Sequence, residues 1–146
     1  MISLYKNISG LLTRQKLGIL ATLGRQYPYQ SIVAFAAADD MKNILFATKR
    51  STSKYRNVKR RARTSIFIDN RANSEKDFID TTGMTALGDA RELRGASRRS
   101  SGKIFLKKHP YLREFLAAPD CALFNIKVRV YYVVMRFQEV FEVRIS

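Results

Sequence analysis

Residues 17–48, LGILATLGRQYPYQSIVAFAAADDMKNILFAT, change the chain's period from helical to strand-like and decide the fold. Leu17 to Leu23 is a short apolar run, Gly24 to Tyr27 reads as a turn, and Tyr29 to Ala37 is a second run. Asp39 and Asp40 mark the next turn, and Asn43 to Thr48 makes a third strand. Such spacing suits antiparallel strands joined by short loops. Tyr29, Val33 and Phe35 fall on one face of the second run, and Ile32, Ala34 and Ala36 on the other. A strand apolar on both faces belongs inside a barrel or beneath covering helices.

Before this stretch, Met1 to Lys16 reads as an amphipathic helix with Leu4, Ile8, Leu11 and Leu12 on one side. Beyond it, Thr52 to Ala62 turns helical, with Tyr55, Val58 and Ala62 on its buried face. Arg63 to Asn70 returns to strand, and Arg71 to Asp80 is a polar loop. Thr82 to Leu93 alternates, with Met84, Ala86, Gly88 and Ala90 on one face. Arg94 to Gly102, rich in Gly, Ser and Arg, reads as a mobile linker. A basic helix is expected from Lys103 to Lys108, with a short second helix started by Pro110. Phe124 to Met135 is the longest strand signal, with Ile126, Val128, Val130 and Tyr132 opposite Asn125, Lys127, Arg129 and Tyr131. Val140 to Ile145 closes the chain as a strand. The reading is a mainly β chain with helices: one domain over 1–146, an antiparallel barrel of about seven strands under three or four helices.

The composition narrows what such a barrel does. Hydrophobic residues make up 46 %, ample for a core. No apolar stretch reaches the ~20 residues of a membrane span, and no secretory signal pattern opens the chain. The single cysteine, Cys121, reads as a small buried or partly exposed thiol, and a soluble cytoplasmic protein is expected. One His and one Cys exclude most nitrogen–sulfur metal sites. His109, among lysines beside Pro110, reads as a surface residue. The net charge of +15 attracts anions of some kind: nucleic acid, acidic membrane or phosphorylated small molecules.

Position chooses among them at Ala47-Thr48-Lys49-Arg50-Ser51-Thr52-Ser53-Lys54-Tyr55-Arg56-Asn57-Val58, a strand end, a hydroxyl-rich turn and a helix start. The first N–H groups of a helix lack internal partners, and the helix dipole adds positive charge there. Thr52 or Ser53 caps this helix, and its first turn carries Lys54 and Arg56 but no acid. That end suits an external phosphate. An ordinary solvated basic helix is the competing reading. A nucleic-acid face is another, since eight of the fifteen residues from Lys49 to Arg63 are basic.

The ordered set Leu17-Gly-Ile-Leu-Ala-Thr-Leu, Pro28-Tyr-Gln-Ser-Ile-Val-Ala-Phe, Ile44-Leu-Phe-Ala-Thr, Ser53-Lys54-x-x-Asn57, Thr64-Ser-Ile-Phe-Ile-Asp and Gly83-Met-Thr-Ala-Leu-Gly-Asp-Ala resembles the pyridoxamine 5'-phosphate oxidase-like FMN-binding split barrels, from about Leu11 to Phe137. The resemblance implies an FMN across a homodimer interface and a flavin-dependent oxidoreductase acting on a small molecule. Its ring would lie along Gln30, Ser31, Ile32 and Val33, with Ala47 and Thr48 at the third strand's end. Its phosphate would meet Thr48, Lys49, Ser53 and Lys54. Asn57 either bonds nearby or is simply a polar helix residue. The partner subunit would add Asn70 and Arg71. Related barrels hold a deazaflavin or haem instead. The oxidases resembled here bring a C-terminal Arg and His to pyridoxal phosphate. Val143-Arg144-Ile145-Ser146 offers no His, so pyridoxamine phosphate oxidation itself is not expected. No catalytic residue is singled out.

Overall fold

A computed structural model describes residues 2–38 and 40–146; Met1 and Asp39, the latter half of the expected Asp39-Asp40 turn, lie outside the described residues. The elements run α1 (Ile2–Arg14), β1 (Leu17–Leu23), β2 (Pro28–Ala37), β3 (Asn43–Lys49), α2 (Ser53–Arg60), β4 (Arg63–Asp69), α3 (Asp77–Asp80), β5 (Thr82–Glu92), α4 (Gly95–Lys108), a 3-10 turn (Pro110–Leu112), α5 (Arg113–Ala117), β6 (Cys121–Met135) and β7 (Glu139–Arg144). The strands lie in the order β3-β2-β1-β4-β5-β6-β7, all antiparallel, and β3 also pairs with β6. That extra pairing closes six strands into a barrel and leaves β7 outside the ring.

Closure depends on β6, which is long enough to serve two neighbours in turn. Its first half, Cys121–Lys127, pairs with β3; its second, Val130–Met135, pairs with β7. At the seam Phe46 stands opposite Phe124, and the rings stack 5.1 Å apart. Such a pair adds about 1 kcal/mol beyond its buried area. Inside the ring sit Leu20, Val33, Phe35, Ile44, Ile66 and Met84, none more than 4 % exposed. Ile8, Leu11 and Leu12 of α1 join this core, as its helical spacing requires. A second cluster lies outside the barrel wall, where Phe105 of α4 and Leu116 of α5 cover Ala36, Leu45, Ala47 and Leu123.

The structure departs from the sequence reading where long-range packing overrides local pattern. Arg94 to Gly102 is no mobile linker: Gly95 takes a left-handed φ of +59° and begins a fourteen-residue helix. Arg98 anchors it, donating to the carbonyls of Cys121 (3.0 Å) and Leu116 (2.8 Å). His109 is not on the surface either. It is fully buried, with Nε2 2.7 Å from the Phe35 carbonyl. The face assignment along β6 fails at Arg129, an extra residue between the pairs Gly88–Val128 and Leu87–Val130. One extra residue shifts the alternation by one. Tyr131 therefore points into the core with Ile126 and Val128. Gly88 permits the close approach there, because a Cβ would lie on the Lys127 carbonyl oxygen. Strand β2 is buried on both faces only over its second half; Tyr29 and Ile32 are exposed. Ala62 falls beyond the end of α2 and is exposed. The polar stretch after β4 ends in the single turn α3, and the described residues hold five α-helices where three or four were expected.

Candidate cofactor site

Strand β2 is shared unequally by its neighbours. It pairs with β1 from Pro28 to Ala34, whereas β3 meets it only over Phe35–Ala37. Among the described residues no strand pairs with the other edge of Pro28–Ala34. An open strand edge presents N–H and C=O groups that need partners. This split in the barrel is flanked by the end of β3 and the start of α2.

That start is tightly built. Thr52 caps α2, its Oγ1 accepting from the Tyr55 amide at 3.3 Å and donating to the Lys49 carbonyl at 2.9 Å. Thr48, itself buried, places its hydroxyl 2.9 Å from that of Thr52. The first turn holds no acid. Arg56 folds back over the end, donating to the Ser51 carbonyl (3.0 Å) and to Ser53 Oγ (3.1 Å). Lys54 is half-buried, and burial pushes its ammonium pKa down. Among the described residues it has no carboxylate within ion-pair distance. A partly desolvated cation without a counter-ion, at a positive helix end, suits an anion from outside.

The remaining expected residues divide by face. Gln30 and Ile32 point outward, with Ile32 68 % exposed. Val33 points into the core, and Ser31 Oγ is buried without a hydrogen-bond partner among the described residues. Ala47 lies under α4. Asn57 is buried and donates to Thr22 Oγ1 at 3.0 Å, which bolts α2 to β1. Asn70 accepts from the Thr82 amide at 2.9 Å, and Arg71 pairs with Asp69 at 2.9 Å. Arg71 follows β4, on the far side of β1 from the start of α2. There it rims a cleft of about 470 Å³ with Arg14 and Lys16 above Leu17, Ile19, Ile32 and Phe67. Ile32, Ile19 and Phe67 are cross-strand partners in one outward row, with Ile32 68 % exposed among the described residues.

Sequence reasoning missed Glu92. Its side chain is 2 % exposed and meets Arg50 at 2.7 Å, Arg94 at 3.3 Å and Lys59 at 3.4 Å. Tyr55 Oη donates to it at 3.2 Å. Burial alone would push this carboxyl up, but hydrogen bonds from Arg50 and Tyr55 and the nearby guanidinium charges outweigh it and hold the pKa below the usual range. Glu92 thus ties Arg50, Tyr55 and Lys59 of the basic segment together from beneath. Its only sequence signal is an acid at the end of a predicted strand, among arginines.

Comparison with known proteins agrees with this fold. Residues 4–135 match the family model described as pyridoxamine 5'-phosphate oxidase. No curated protein matches the chain. Among solved structures it is similar to a haem-binding protein from Mycobacterium smegmatis (TM-score 0.84, 16 % identity), over 94 % of this chain and 56 % of that one. It spans little more than half the length of that relative. It also resembles a protein of the pyridoxinephosphate oxidase family from Clostridium acetobutylicum, related to general stress protein 26 (TM-score 0.73, 16 % identity, 97 % and 93 % covered). A third is an FAD-binding protein from Mesorhizobium loti (TM-score 0.72, 15 % identity, 88 % and 90 % covered). At such identities these likenesses speak for the fold alone. With the family match running from α1 to the end of β6, over the split edge and the capped helix, the chain belongs to the pyridoxamine 5'-phosphate oxidase family.

Proposed function

We propose that this protein binds FMN at a homodimer interface and is a flavin-dependent oxidoreductase of the cytoplasm acting on a small molecule. The observation that carries the reading is the unpaired β2 edge running to an acid-free, Thr-capped helix start with the uncompensated Lys54. The open backbone of Pro28–Ala34 suits the hydrogen-bonding edge of a flavin ring, and Ser31 adds an unpartnered hydroxyl. Thr48, Lys49, Ser53 and Lys54 would hold the phosphate. Bound FMN supplies hydride and one-electron chemistry; the chain supplies orientation and charge.

The outward row of Ile32, Ile19 and Phe67 supports the dimer, since an apolar face of this kind is normally buried against something. A second copy would also bring its Arg71-rimmed cleft to the flavin. FMN is favoured over haem by the ligands at hand. Haem iron is commonly held by His or Cys. His109 is fully buried with one nitrogen on the Phe35 carbonyl, and Cys121 is 1 % exposed.

Purified protein is expected to be yellow or to become so with added FMN, and to release about one flavin per chain on denaturation. Lys54→Ala should weaken FMN binding about tenfold, the loss of about 1.4 kcal/mol, with the melting temperature unchanged. Protein that stays colourless with FMN added, or flavin affinity indifferent to Lys54, would overturn the reading.

A further inference from the structure

One flavin phosphate accounts for little of the +15 charge, and the structure shows where the remainder collects. The β1–β2 hairpin and α2 together line a hollow that contains Arg25, Arg56, Lys59 and Arg60. Arg25 and Arg60 continue into a second hollow with Arg61. Lys59, in the first hollow, shares the Glu92 carboxylate with Arg50, which precedes α2, and with Arg94. Three segments distant in sequence thus build one basic belt, extending past both ends of a helix about 12 Å long.

The belt is nearly free of surface acid. No Asp or Glu occurs from Met41 to Ile68. Glu92 lies beneath it with its side chain 2 % exposed, so it anchors the cations without presenting negative charge to solvent. The carboxylates beside the belt are Asp120, exposed next to the Arg50 end, and Asp89, opposite Arg63 and already paired with Arg129. Most of the belt is arginine, whose planar fork matches phosphate oxygens two at a time. Tyr27, 77 % exposed, and Tyr29, 44 % exposed, stand in the same hairpin as Arg25. Exposed aromatics beside a cationic track are what unpaired bases stack upon. By contrast Phe78, Ile79 and Phe137, the exposed apolar groups best suited to enter a lipid layer, lie around α3 and the β6–β7 turn. Acids are frequent there, with Glu75, Asp77, Asp80 and Glu139 close by in sequence.

We propose that the belt from Arg25 across α2 to Arg94 binds the phosphodiester backbone of single-stranded nucleic acid, with Tyr27 and Tyr29 as its stacking platform. Recognition is independent of sequence, because phosphate contacts and stacking carry no base code. The belt does not rest on the flavin reading: Arg25, Lys59, Arg60 and Arg61 stand outside the residues assigned to FMN.

The test is fluorescence anisotropy of a labelled 20-nucleotide oligouridylate with the full chain at 50, 100 and 200 mM NaCl. Four phosphate contacts give a log–log salt slope of about −3, hence about 60-fold weaker binding across that range. Arg25→Glu with Arg61→Glu should weaken binding at least tenfold and flatten the slope by about 1.4. Neither side chain makes a hydrogen bond among the described residues, and an unchanged FMN affinity and melting temperature would certify the fold. Tyr27→Ala, which leaves the charge intact, should weaken binding about tenfold at every salt concentration without altering the slope. Absence of binding at 50 mM NaCl would overturn the proposal, as would a slope indifferent to the double reversal. Phosphatidylserine vesicles that bind in the oligonucleotide's stead would assign the belt to a membrane. Heparin binding equally well, with no effect of Tyr27→Ala, would reduce it to unspecific cation exchange. Loss of flavin binding alone would leave the belt standing and fall on the cofactor site.

Discussion

Helices α2 and α4 look alike in sequence and are put to opposite uses. Both are rich in Lys and Arg, and neither has an acid in its first turn. In α2 the N-terminus is capped by Thr52, the half-buried Lys54 is left without a counter-ion among the described residues, and Arg56, Lys59 and Arg60 are exposed, Arg60 donating to the Leu23 carbonyl at 2.9 Å. In α4 two of the basic side chains are spent on the fold. Arg98 closes two carbonyls, and Lys108 donates to the Leu12 carbonyl at 2.8 Å while lying 3.9 Å from the Phe35 ring centre. A count of charges ranks the helices nearly equal, with four basic residues in α2 and five in α4. What separates them is the helix start: α2 sets the half-buried, unpaired Lys54 beside a Thr-capped end, whereas the exposed Arg99, Lys103 and Lys107 of α4 lie on a helix whose N-terminus has no side-chain cap.

If α4 is a structural cover, its deletions should cost stability and leave ligand binding alone. The largest effect is expected from Phe105→Ala, which empties a fully buried site between α4 and the barrel wall. The cost should be about 4 kcal/mol by urea denaturation, with FMN affinity of the folded fraction unchanged. A marked loss of flavin affinity would erase the distinction between the helices. Arg98→Ala should follow at about 2 kcal/mol, the scale of charge-assisted hydrogen bonds to carbonyls. It should leave the oligonucleotide's salt slope unchanged, since Arg98 is engaged beneath the surface.

Glu92→Gln sharpens the comparison from the other side. Glu92 ties Arg50, Lys59 and Tyr55 together, so its loss should disturb α2 specifically. The cations it releases are largely solvated, and the stability cost should be only about 1 kcal/mol. The pH dependence follows from its depressed pKa. The contribution is fully present above the unfolded carboxylate value of about 4.3 and lost as pH falls through the lower folded value. Acid unfolding should therefore be less steep in Glu92→Gln. Urea midpoints between pH 3 and 6 check this, and equal steepness in both proteins would show that Glu92 contributes no net stabilisation.

The two helices also show how far the sequence could be read. The start of α2 was legible because a cap is local: Thr52, an acid-free first turn and a preceding strand lie within a dozen residues. The barrel was legible from alternation, which holds wherever one face of a strand meets the core. What escaped depends on residues distant in sequence. Gly95 to Gly102 has linker composition, and it is helical because Arg98 finds carbonyls about 20 residues away and Phe105 finds the wall. Glu92 lies 42 residues from Arg50, so nothing local announces their pairing. The extra residue at Arg129 turned Tyr131 inward because Gly88, on another strand, lets the chains approach. Whether His109 is exposed was decided by the Phe35 carbonyl, 74 residues earlier. The acid-free helix start proposed for the phosphate was readable for the same reason as the cap, whereas Arg71 acquires its cleft only when β4 folds against β1.

The smallest expected effect concerns Lys108, and it is visible only through pH. Burial lowers its pKa to about 8, against about 10.4 in an unfolded chain. Below pH 8 the ammonium is charged in both states, and the folded protein bears the whole cost of desolvating it. Between pH 8 and 10.4 the unfolded chain binds more protons than the folded one, so stability rises with pH through that window. Relief of general charge repulsion acts in the same direction, which makes the wild-type curve alone insufficient. Lys108→Met keeps the aliphatic stem against Phe35, removes the titration and leaves the Leu12 carbonyl without its donor. It should lower the urea midpoint slightly at pH 10, where the amine is neutral and still donates, and flatten the rise between pH 8 and 10. A variant with the wild-type slope would mean that Lys108 keeps ordinary hydration and is one more solvated cation of α4 beside Arg99, Lys103 and Lys107.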